Sequence, residues 1–215
     1  IVIGGGHNNA LPIITGVSIA LNKPINVVNI DAHADLRVTT EGRHSGNGFS
    51  YAIQHGYLSH YQIFGLQQNY VNQNLPNYIN SNPNIKALYF EDLLLSFKSV
   101  IENWNEFTGD LENPCGLEID LDSVENVLSS AQTSSGFALN DIRKILLSNT
   151  KKYSYLHICE GAPDLGEEKN NHLIGKLIGY LVTDFIKAKK NLYKFRVQNC
   201  EIKVHSETQN SPPET

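Results

Sequence analysis

The sequence predicts an α/β fold of three layers, in which helices cover both faces of a mostly parallel β-sheet. Two observations indicate this class. Short apolar runs alternate along the chain with segments of helical period. The runs are almost continuously apolar, as in INVVNI at 25–30, which is typical of strands buried on both faces of a parallel sheet. Right-handed βαβ units are the expected connections.

The elements follow one another in a regular order. Each apolar run is predicted to form a strand, and the segments between them supply the helices. The predicted strands are 1–5, 25–31, 61–66, 86–90, 115–122 and 153–160. The predicted helices are 8–22, 48–57, 91–107, 138–152 and 172–190. Because no repeat or linker interrupts the pattern, we expect one α/β domain at 1–200 and a polar tail at 201–215.

Composition excludes several classes of protein. Of the 215 residues, 40% are hydrophobic and 18% are charged, which is ordinary for a soluble globular chain. The net charge of −5 argues against a nucleic-acid partner, and no apolar stretch approaches the span of a bilayer. Three widely separated cysteines, Cys115, Cys159 and Cys200, suit a reducing compartment. We therefore expect a cytoplasmic protein without a membrane or nucleic-acid partner.

The first residues read as the interior of a fold. The chain contains no Met and opens with IVIGGGH, a buried type of strand without a preceding turn or helix cap. We expect that N-terminal strands of the domain are missing from this chain.

Acidic and imidazole side chains follow four of the predicted strands. In open parallel sheets, ligands bind outside the carboxyl ends of the strands, so these side chains are expected to meet at one edge. They are His7 after the first strand, the cluster Asp31, His33 and Asp35, the pair Asp120 and Asp122, and Glu160.

The residue types in this set favour a metal centre. The i, i+2, i+4 spacing of DAHAD and the i, i+2 spacing of DLD aim alternate side chains the same way. Two imidazoles and four carboxylates are too rich in oxygen for a structural zinc site and suit Mn²⁺ best. Six ligands are more than one ion needs, which predicts two ions about 3.5 Å apart that activate a shared water. Each motif alone also occurs as a polar turn or helix cap, but such readings would need several coincidences.

Four motifs in order resemble those of the ureohydrolases, the family of arginase, agmatinase and formiminoglutamase. They are GGGH at 4–7, DAHADLR at 31–37, EIDLD at 118–122 and HICEGAP at 157–163. The resemblance covers about residues 1–190. It implies an arginase-like α/β/α fold, two Mn²⁺ ions per chain, and hydrolysis of a C–N bond in a guanidino or formimino group of a small-molecule substrate.

The resemblance also implies roles for individual residues. The metal ligands would be His7, Asp31, His33, Asp35, Asp120 and Asp122. Glu160 matches the glutamate that pairs with the cationic group of the substrate, although a surface helix cap is the alternative. Homo-oligomers are common in the family.

The loop after DAHAD separates the members of the family. Arginases and agmatinases have a histidine directly before a glycine in this loop, whereas this chain has Ser45 before Gly46 and His44 one place earlier. Formiminoglutamases typically have serine and glycine there. His44 is either a catalytic proton shuttle or a solvent-facing residue, and in the alternative alignment Ser45 and Asn47 contact the substrate.

A second departure concerns the tail of the substrate. The chain has FGLQQN where arginases have an acid after the third strand, so Gln67 and Asn69 are expected to contact a different polar tail. Arg37 could neutralise a carboxylate of that tail, or be structural. Glu118 stands where the family has a serine, and we expect it to add negative charge near the second metal.

The leading prediction is therefore formiminoglutamase activity. The reaction would convert N-formimino-L-glutamate and water to L-glutamate and formamide during histidine breakdown. Two alternatives stay open, a guanidino hydrolase of the arginase or agmatinase type that releases urea, and a non-catalytic metal-binding relative.

Overall fold

The computed structural model describes residues 1–163 and 172–190. Within them, six strands form one sheet: β1 Val2–Ile3, β2 Ile25–Ile30, β3 Leu58–Leu66, β4 Ile85–Tyr89, β5 Cys115–Asp120 and β6 Tyr153–Cys159. The order across the sheet is β1-β6-β5-β2-β3-β4, and each neighbouring pair is parallel. The carboxyl ends of all these strands therefore lie at one edge.

Helices cover both faces of this sheet. They are α1 Ala10–Leu21, α2 Gly48–Gln54, α3 Leu75–Ser81, α4 Phe90–Leu95, α5 Val100–Phe107, α6 Leu139–Ser148 and α7 at 172–190. One apolar core lies between the sheet and α1, α2 and α3, around Ile14, Phe49 and Ile79. A second core lies on the opposite face, where Trp104 and Ile145 pack with α4, α5, α6 and α7. The predicted three-layer α/β class is confirmed.

The segment predicted as a single helix at 91–107 forms two helices. Ser96 is extended, with φ −74° and ψ 136°, and ends α4. Ser99 then begins α5: its side chain accepts from the backbone N–H of Glu102, while its own N–H donates to the Glu102 carboxylate. This reciprocal cap satisfies two donors at a helix start, so the local SxxE pattern overrides the continuous apolar period.

Helix α3 was not predicted, because its sequence LPNYINS is rich in asparagine and carries proline at its start. The side-chain oxygen of Asn72 accepts from the backbone N–H groups of Asn74 and Leu75. Such local bonds from an Asn side chain favour helix starts. The helix is thus set by its entry turn rather than by its internal propensity.

Several expectations fall beyond the described residues. The polar tail at 201–215, the domain boundary at 200 and Cys200 lie there. Cys115 and Cys159 are free and buried. No helix in the described part of the chain is long and apolar enough to cross a membrane.

Candidate metal centre

Four adjacent strands deliver the predicted ligands to the carboxyl edge of the sheet. His7 follows β1, the 31–35 segment follows β2, Asp120 ends β5 and Glu160 follows β6. Gly5 has a φ of 75°, which an L side chain rarely adopts, and a Cβ on Gly6 would lie 3.3 Å from Glu160 Oε1. The glycines of GGGH therefore let β1 turn sharply and bring His7 close to its neighbours.

One imidazole nitrogen faces three carboxylates. His7 Nδ1 lies 3.2 Å from Asp31 Oδ2, 2.9 Å from Asp35 Oδ2 and 3.0 Å from Asp120 Oδ2. One ligand atom from each of these four residues falls within 4.8 Å of the others. We call these four residues the first ligand set. Their spacing suits a single cation bound at their centre.

The remaining predicted ligands lie beside the first set. His33 Nδ1 is 3.6 Å from Asp31 Oδ1 and 4.0 Å from Asp122 Oδ2. Asp122 is held in place, because its two carboxylate oxygens accept from the Ala131 backbone N–H at 2.9 Å and the Ser130 hydroxyl at 3.1 Å. Asp120 adjoins them, because its Oδ1 accepts from the Asp122 N–H at 2.7 Å. We call His33, Asp31, Asp120 and Asp122 the second ligand set, although among the described residues their ligand atoms do not form a group within 4.8 Å as those of the first set do. The two sets share Asp31 and Asp120, so one oxygen-rich cluster could hold two ions.

The electrostatics of the cluster favour a positive charge at its centre. Burial, together with the charge of Asp31, raises the pKa of Asp35 and raises that of Asp120 well above its usual value. Burial by itself lowers the pKa of His7, but Cys159 and the hydrogen-bonding aspartates raise it well above its usual value. Both His7 nitrogens are buried, and within the described part of the chain neither has a hydrogen bond of good alignment, although Nδ1 lies within 3.2 Å of three carboxylates. The donor set fits a hard divalent cation that accepts imidazole, such as Mn²⁺.

His33 and Asp31 interact directly. Burial raises the pKa of Asp31, yet hydrogen bonds from His33 and His7 outweigh it and lower the pKa to about 2. Burial correspondingly lowers the pKa of His33, but Asp31 and its neighbours raise it to about 9. The Asp31 carboxylate also accepts from the buried amide of Asn29 at 2.8 Å, which in turn donates to the Tyr61 hydroxyl at 2.9 Å. Asn29 and Tyr61 therefore support Asp31 from inside the core.

Two residues of the cluster have a left-handed backbone. Asp35 has a φ of 51° and Glu160 a φ of 60°, although neither is glycine. Such conformations cost on the order of 1–3 kcal/mol and concentrate at functional sites. The backbone is held at these two positions in the conformation that aims both carboxylates at the cavity.

Glu160 borders a cavity that is also lined by His33, Asp35, Asp120 and Asp122, whereas His7 and Asp31 are fully buried and do not line it. Glu160 Oε1 accepts from the backbone N–H of His7 at 2.6 Å, and its own N–H donates to the Gly5 carbonyl. The cavity has a volume of about 330 Å³ and is lined by ligand residues, Glu160, His44, Ser45, Arg37 and Tyr70. Glu160 is thus anchored to β1 with its carboxylate at the edge of the cavity.

The residues expected to bind substrate divide into two groups. Ser45 and Arg37 line the cavity, and both are exposed. His44 also lines it, with Nε2 3.1 Å from Glu41 Oε2 and Nδ1 accepting from the Gly46 backbone N–H. Arg37 lies where the cavity meets an outer groove of about 770 Å³.

The other three are not brought into the cavity. Asn47 is buried, and its side-chain amide forms hydrogen bonds within its own loop. The amide oxygen accepts from the His44 N–H, and the amide nitrogen donates to the Gly42 carbonyl. Gln67 is buried and donates to the Ser135 carbonyl at 2.6 Å. Asn69 is exposed and is absent from the lining of both the cavity and the groove. Asn47 and Gln67 therefore hold loops together in this structure.

Three residues that contact the cluster were not predicted from the sequence. The Tyr70 ring lies 4.7 Å from the His33 ring at an angle of 31°. Ser130 and Ala131 bind Asp122 from the loop that follows it. Positions 122 and 130 are eight residues apart in an irregular loop, so no periodic pattern predicts their contact. Glu118, expected near the second metal, instead lies beside His7 Nε2, at 3.6 Å.

Fold and site together define a parallel α/β protein with a candidate metal centre at the carboxyl edge of its sheet. A sequence model of the arginase family matches residues 1–183, and the chain belongs to that family. The family assignment made from the four motifs is confirmed.

Individual relatives carry formimidoylglutamase names. The formimidoylglutamase of Hahella chejuensis is 37% identical over 77 residues, which cover 32% of this chain and 24% of the relative. Formimidoylglutamase from Bacillus subtilis has a similar fold, with a TM-score of 0.76 and 16% identity over 88% of this chain and 60% of that one. Trypanosoma cruzi formiminoglutamase with Mn²⁺ gives a TM-score of 0.75 and 18% identity, covering 86% and 63%. The chain thus spans less than two thirds of these relatives.

Proposed function

We propose that this protein is a binuclear-manganese hydrolase of a formimino C–N bond. The reaction is N-formimino-L-glutamate plus water to L-glutamate plus formamide. The observation that carries the proposal is the pair of ligand sets that share Asp31 and Asp120, in a chain of the arginase family. The formimidoylglutamase names of the sequence relatives support this substrate over others in the family.

The first set (His7, Asp31, Asp35 and Asp120) would hold one ion and the second set (His33, Asp31, Asp120 and Asp122) the other. Two Mn²⁺ ions bound there would supply Lewis acidity and lower the pKa of a water. Overall, hydrolysis joins a water oxygen to the formimino carbon, breaks the bond from that carbon to the glutamate nitrogen, and transfers a proton of the water to that nitrogen.

Glu160 would bind the planar N–C–N cation of the formimino group. A carboxylate forms strong, directional hydrogen bonds with such a delocalised cation. The left-handed backbone and the hydrogen bond to the His7 N–H hold this carboxylate at the cavity wall before substrate arrives. Binding energy is therefore not used to position it.

His44 would carry a proton to the leaving glutamate nitrogen. Its ring lies at the cavity rim, where Glu41 accepts from Nε2 and the Gly46 N–H donates to Nδ1. These two neighbours orient the ring. Proton transfer by a positioned imidazole contributes about 10²–10⁴-fold to a reaction rate.

The tail of the substrate would reach Arg37 at the junction of the cavity and the outer groove. Arg37 forms no ion pair with the residues that the structure describes. A guanidinium binds a carboxylate through two parallel hydrogen bonds, which suits a glutamate tail. Ser45, exposed beside it, would add a hydroxyl contact. We place this reaction in cytoplasmic histidine breakdown and propose a homo-oligomeric enzyme.

A product assay tests the proposal. The full-length protein loaded with Mn²⁺ is incubated in parallel with formiminoglutamate, arginine and agmatine, and formamide and urea are measured. Formamide from the first substrate is the expected result. Urea without formamide would show a guanidino hydrolase, and neither product together with bound Mn²⁺ would show a non-catalytic relative.

A further inference from the structure

A buried polar cluster lies behind His7, on the side of the ring away from the cavity. It consists of Glu118 on β5 and Tyr155 and His157 on β6. The side chains of Glu118 and His157 are inaccessible to solvent, and Tyr155 is 6% exposed. A charge so deeply buried is unfavourable unless neighbours bind it. We call these three residues the support cluster.

The sheet register assembles the support cluster. Glu118 and His157 are direct partners in the β5–β6 pairing, and Tyr155 is paired with Gly116. A Cβ on Gly116 would lie 2.3 Å from the Tyr155 ring, so only glycine there leaves space for the ring to cross β5. The Tyr155 hydroxyl then donates to Glu118 Oε1 at 2.6 Å, and His157 Nδ1 lies 2.5 Å from Oε2.

His7 lies between the support cluster and the first ligand set. Its Nδ1 faces the three carboxylates at 2.9–3.2 Å, and its Nε2 faces Glu118 Oε2 at 3.6 Å. The Phe49 ring packs edge-on at 5.0 Å and limits rotation of the imidazole. The ring therefore has one nitrogen toward each cluster.

We propose that Glu118, fixed by Tyr155 and His157, orients His7 so that Nδ1 points its lone pair at the metal of the first set. This inference rests on the proposed function. An imidazole that ligates a metal commonly donates its other N–H to an outer carboxylate, which selects the tautomer and increases the basicity of the ligating nitrogen. Glu118 is a positioning residue, since it acts only through His7.

Two other groups lie on the same side of His7 and could act in place of Glu118. The His157 ring and the Cys159 thiol have ligand atoms within 4.8 Å of one on His7. His157 is bound to Glu118 through Nδ1, and its Nε2 is buried without a hydrogen-bond partner among the described residues, but an imidazole carries no negative charge. The Cys159 thiol contacts the Ile119 carbonyl at 3.7 Å. Glu118 is the group on this side that carries an acceptor charge directed at Nε2. Cys159 provides a matched control.

The experiment measures Mn²⁺ affinity in the full-length protein by calorimetry, with electron paramagnetic resonance to count ions and to detect coupling between them. The variants are Glu118→Gln, which removes the charge at constant shape, Cys159→Ala, and Tyr155→Phe, which removes a buried hydrogen bond to the same carboxylate. We expect Glu118→Gln to weaken one of the two Mn²⁺ sites by about 10–100-fold, the usual effect of losing an outer carboxylate. Tyr155→Phe removes one of the two bonds that fix Glu118, so it should weaken the same Mn²⁺ site by less than Glu118→Gln does. Cys159→Ala, the control, should change both affinities by less than about threefold.

The outcomes separate the inference from the proposed function. If the unaltered protein binds two coupled Mn²⁺ ions and Glu118→Gln binds them equally well, the positioning role is wrong and the metal centre stands. If the unaltered protein binds no Mn²⁺, both are wrong. A loss of metal-free thermal stability in Glu118→Gln with unchanged Mn²⁺ affinity would also overturn the positioning role.

A second variant covers the case in which Glu118→Gln does not fold. Glu118→Asp keeps the negative charge but moves the carboxylate back toward β5 by one methylene, farther from His7. It should weaken the same Mn²⁺ site, by less than Glu118→Gln. Unchanged affinity in a folded Glu118→Asp protein contradicts the inference.

Discussion

The floor and the rim of the cavity are built from different parts of the chain. The floor consists of Asp35, His33, Asp120 and Asp122, with the buried His7 and Asp31 of the same ligand sets behind them. These residues lie at the carboxyl ends of β1, β2 and β5. The rim consists of Arg37, His44, Ser45 and Tyr70, which come from loops and are partly or fully exposed. The sheet fixes the floor through strand register, whereas the rim depends on loop hydrogen bonds. The predictions below test this division, from the largest expected effect to the smallest.

Asp35→Asn should cause the largest loss, because it removes a floor carboxylate 2.9 Å from His7 Nδ1. Asparagine tolerates the left-handed backbone at this position, so the fold should persist. Replacing a residue that hydrogen-bonds to a metal ligand typically lowers metal affinity or activity by about 10–100-fold. Replacing a ligand itself should therefore lower turnover by more than about 100-fold. Formamide release and Mn²⁺ content measure the effect.

A surface acid provides the control for that change. Asp110 pairs with Lys86 at an exposed position, and Asp110→Asn makes the same acid-to-amide change there. It should leave turnover and Mn²⁺ content unaltered. Full activity in Asp35→Asn would remove Asp35 from the ligand sets.

His44→Asn tests the rim in catalysis. If His44 delivers the proton to the leaving nitrogen, kcat should fall by about 100-fold, at the lower end for general acid catalysis, because water still has access to the rim. Mn²⁺ affinity should not change, since His44 belongs to neither ligand set. Steady-state kinetics with formiminoglutamate measure kcat. An unchanged kcat would show that His44 serves only the structure of its loop.

Arg37→Ala tests the rim in substrate recognition. Losing an exposed charge-assisted contact with a carboxylate should raise KM about tenfold, equivalent to about 1.4 kcal/mol. The value of kcat should remain similar, since Arg37 lies away from the reacting carbon. Arg37→Lys, which keeps charge but loses the two parallel bonds, should recover part of the affinity. An equal KM in all three proteins would contradict this role.

Asp120→Asn should stabilise the metal-free fold. The pKa of Asp120 is raised on folding, so its carboxyl favours the folded state at low pH and opposes it once pH exceeds the folded pKa. At high pH the charged carboxylate is therefore destabilising, and removing it should raise Tm by about 2–4 °C for each 1 kcal/mol gained. Thermal unfolding with a chelator measures this. A lower Tm would show that Asp120 stabilises the floor without metal.

Much of the floor could be predicted from sequence. His7, the 31–35 segment and the Asp120–Asp122 pair each end an apolar run, and a parallel sheet brings such ends together by its topology. The side-chain contacts of Asn47 and Gln67 could not be predicted, because the direction of an amide in a loop depends on backbone acceptors elsewhere in the chain. The contacts of Glu118 could not be predicted for a related reason: its alternation along β5 is readable, but its partner His157 on β6 is known only from the strand register.

The helices show the same division between local and long-range information. The period of 91–107 predicted helix correctly for most positions, but the break between α4 and α5 depends on the Ser99–Glu102 cap. Helix α3 depends on Asn72, which lies outside it. Boundaries set by a few polar contacts are less visible than apolar periodicity.

The close fit of Gly116 against the Tyr155 ring limits the evolutionary routes open to this chain. A side chain at 116 would collide with the ring, so Gly116 can be replaced only after the residue at 155 has become smaller. That earlier step would remove the hydroxyl that binds Glu118. Substitutions at these positions must therefore occur in a fixed order. Among descendants of such a protein, positions 116, 118 and 155 should change together rather than independently.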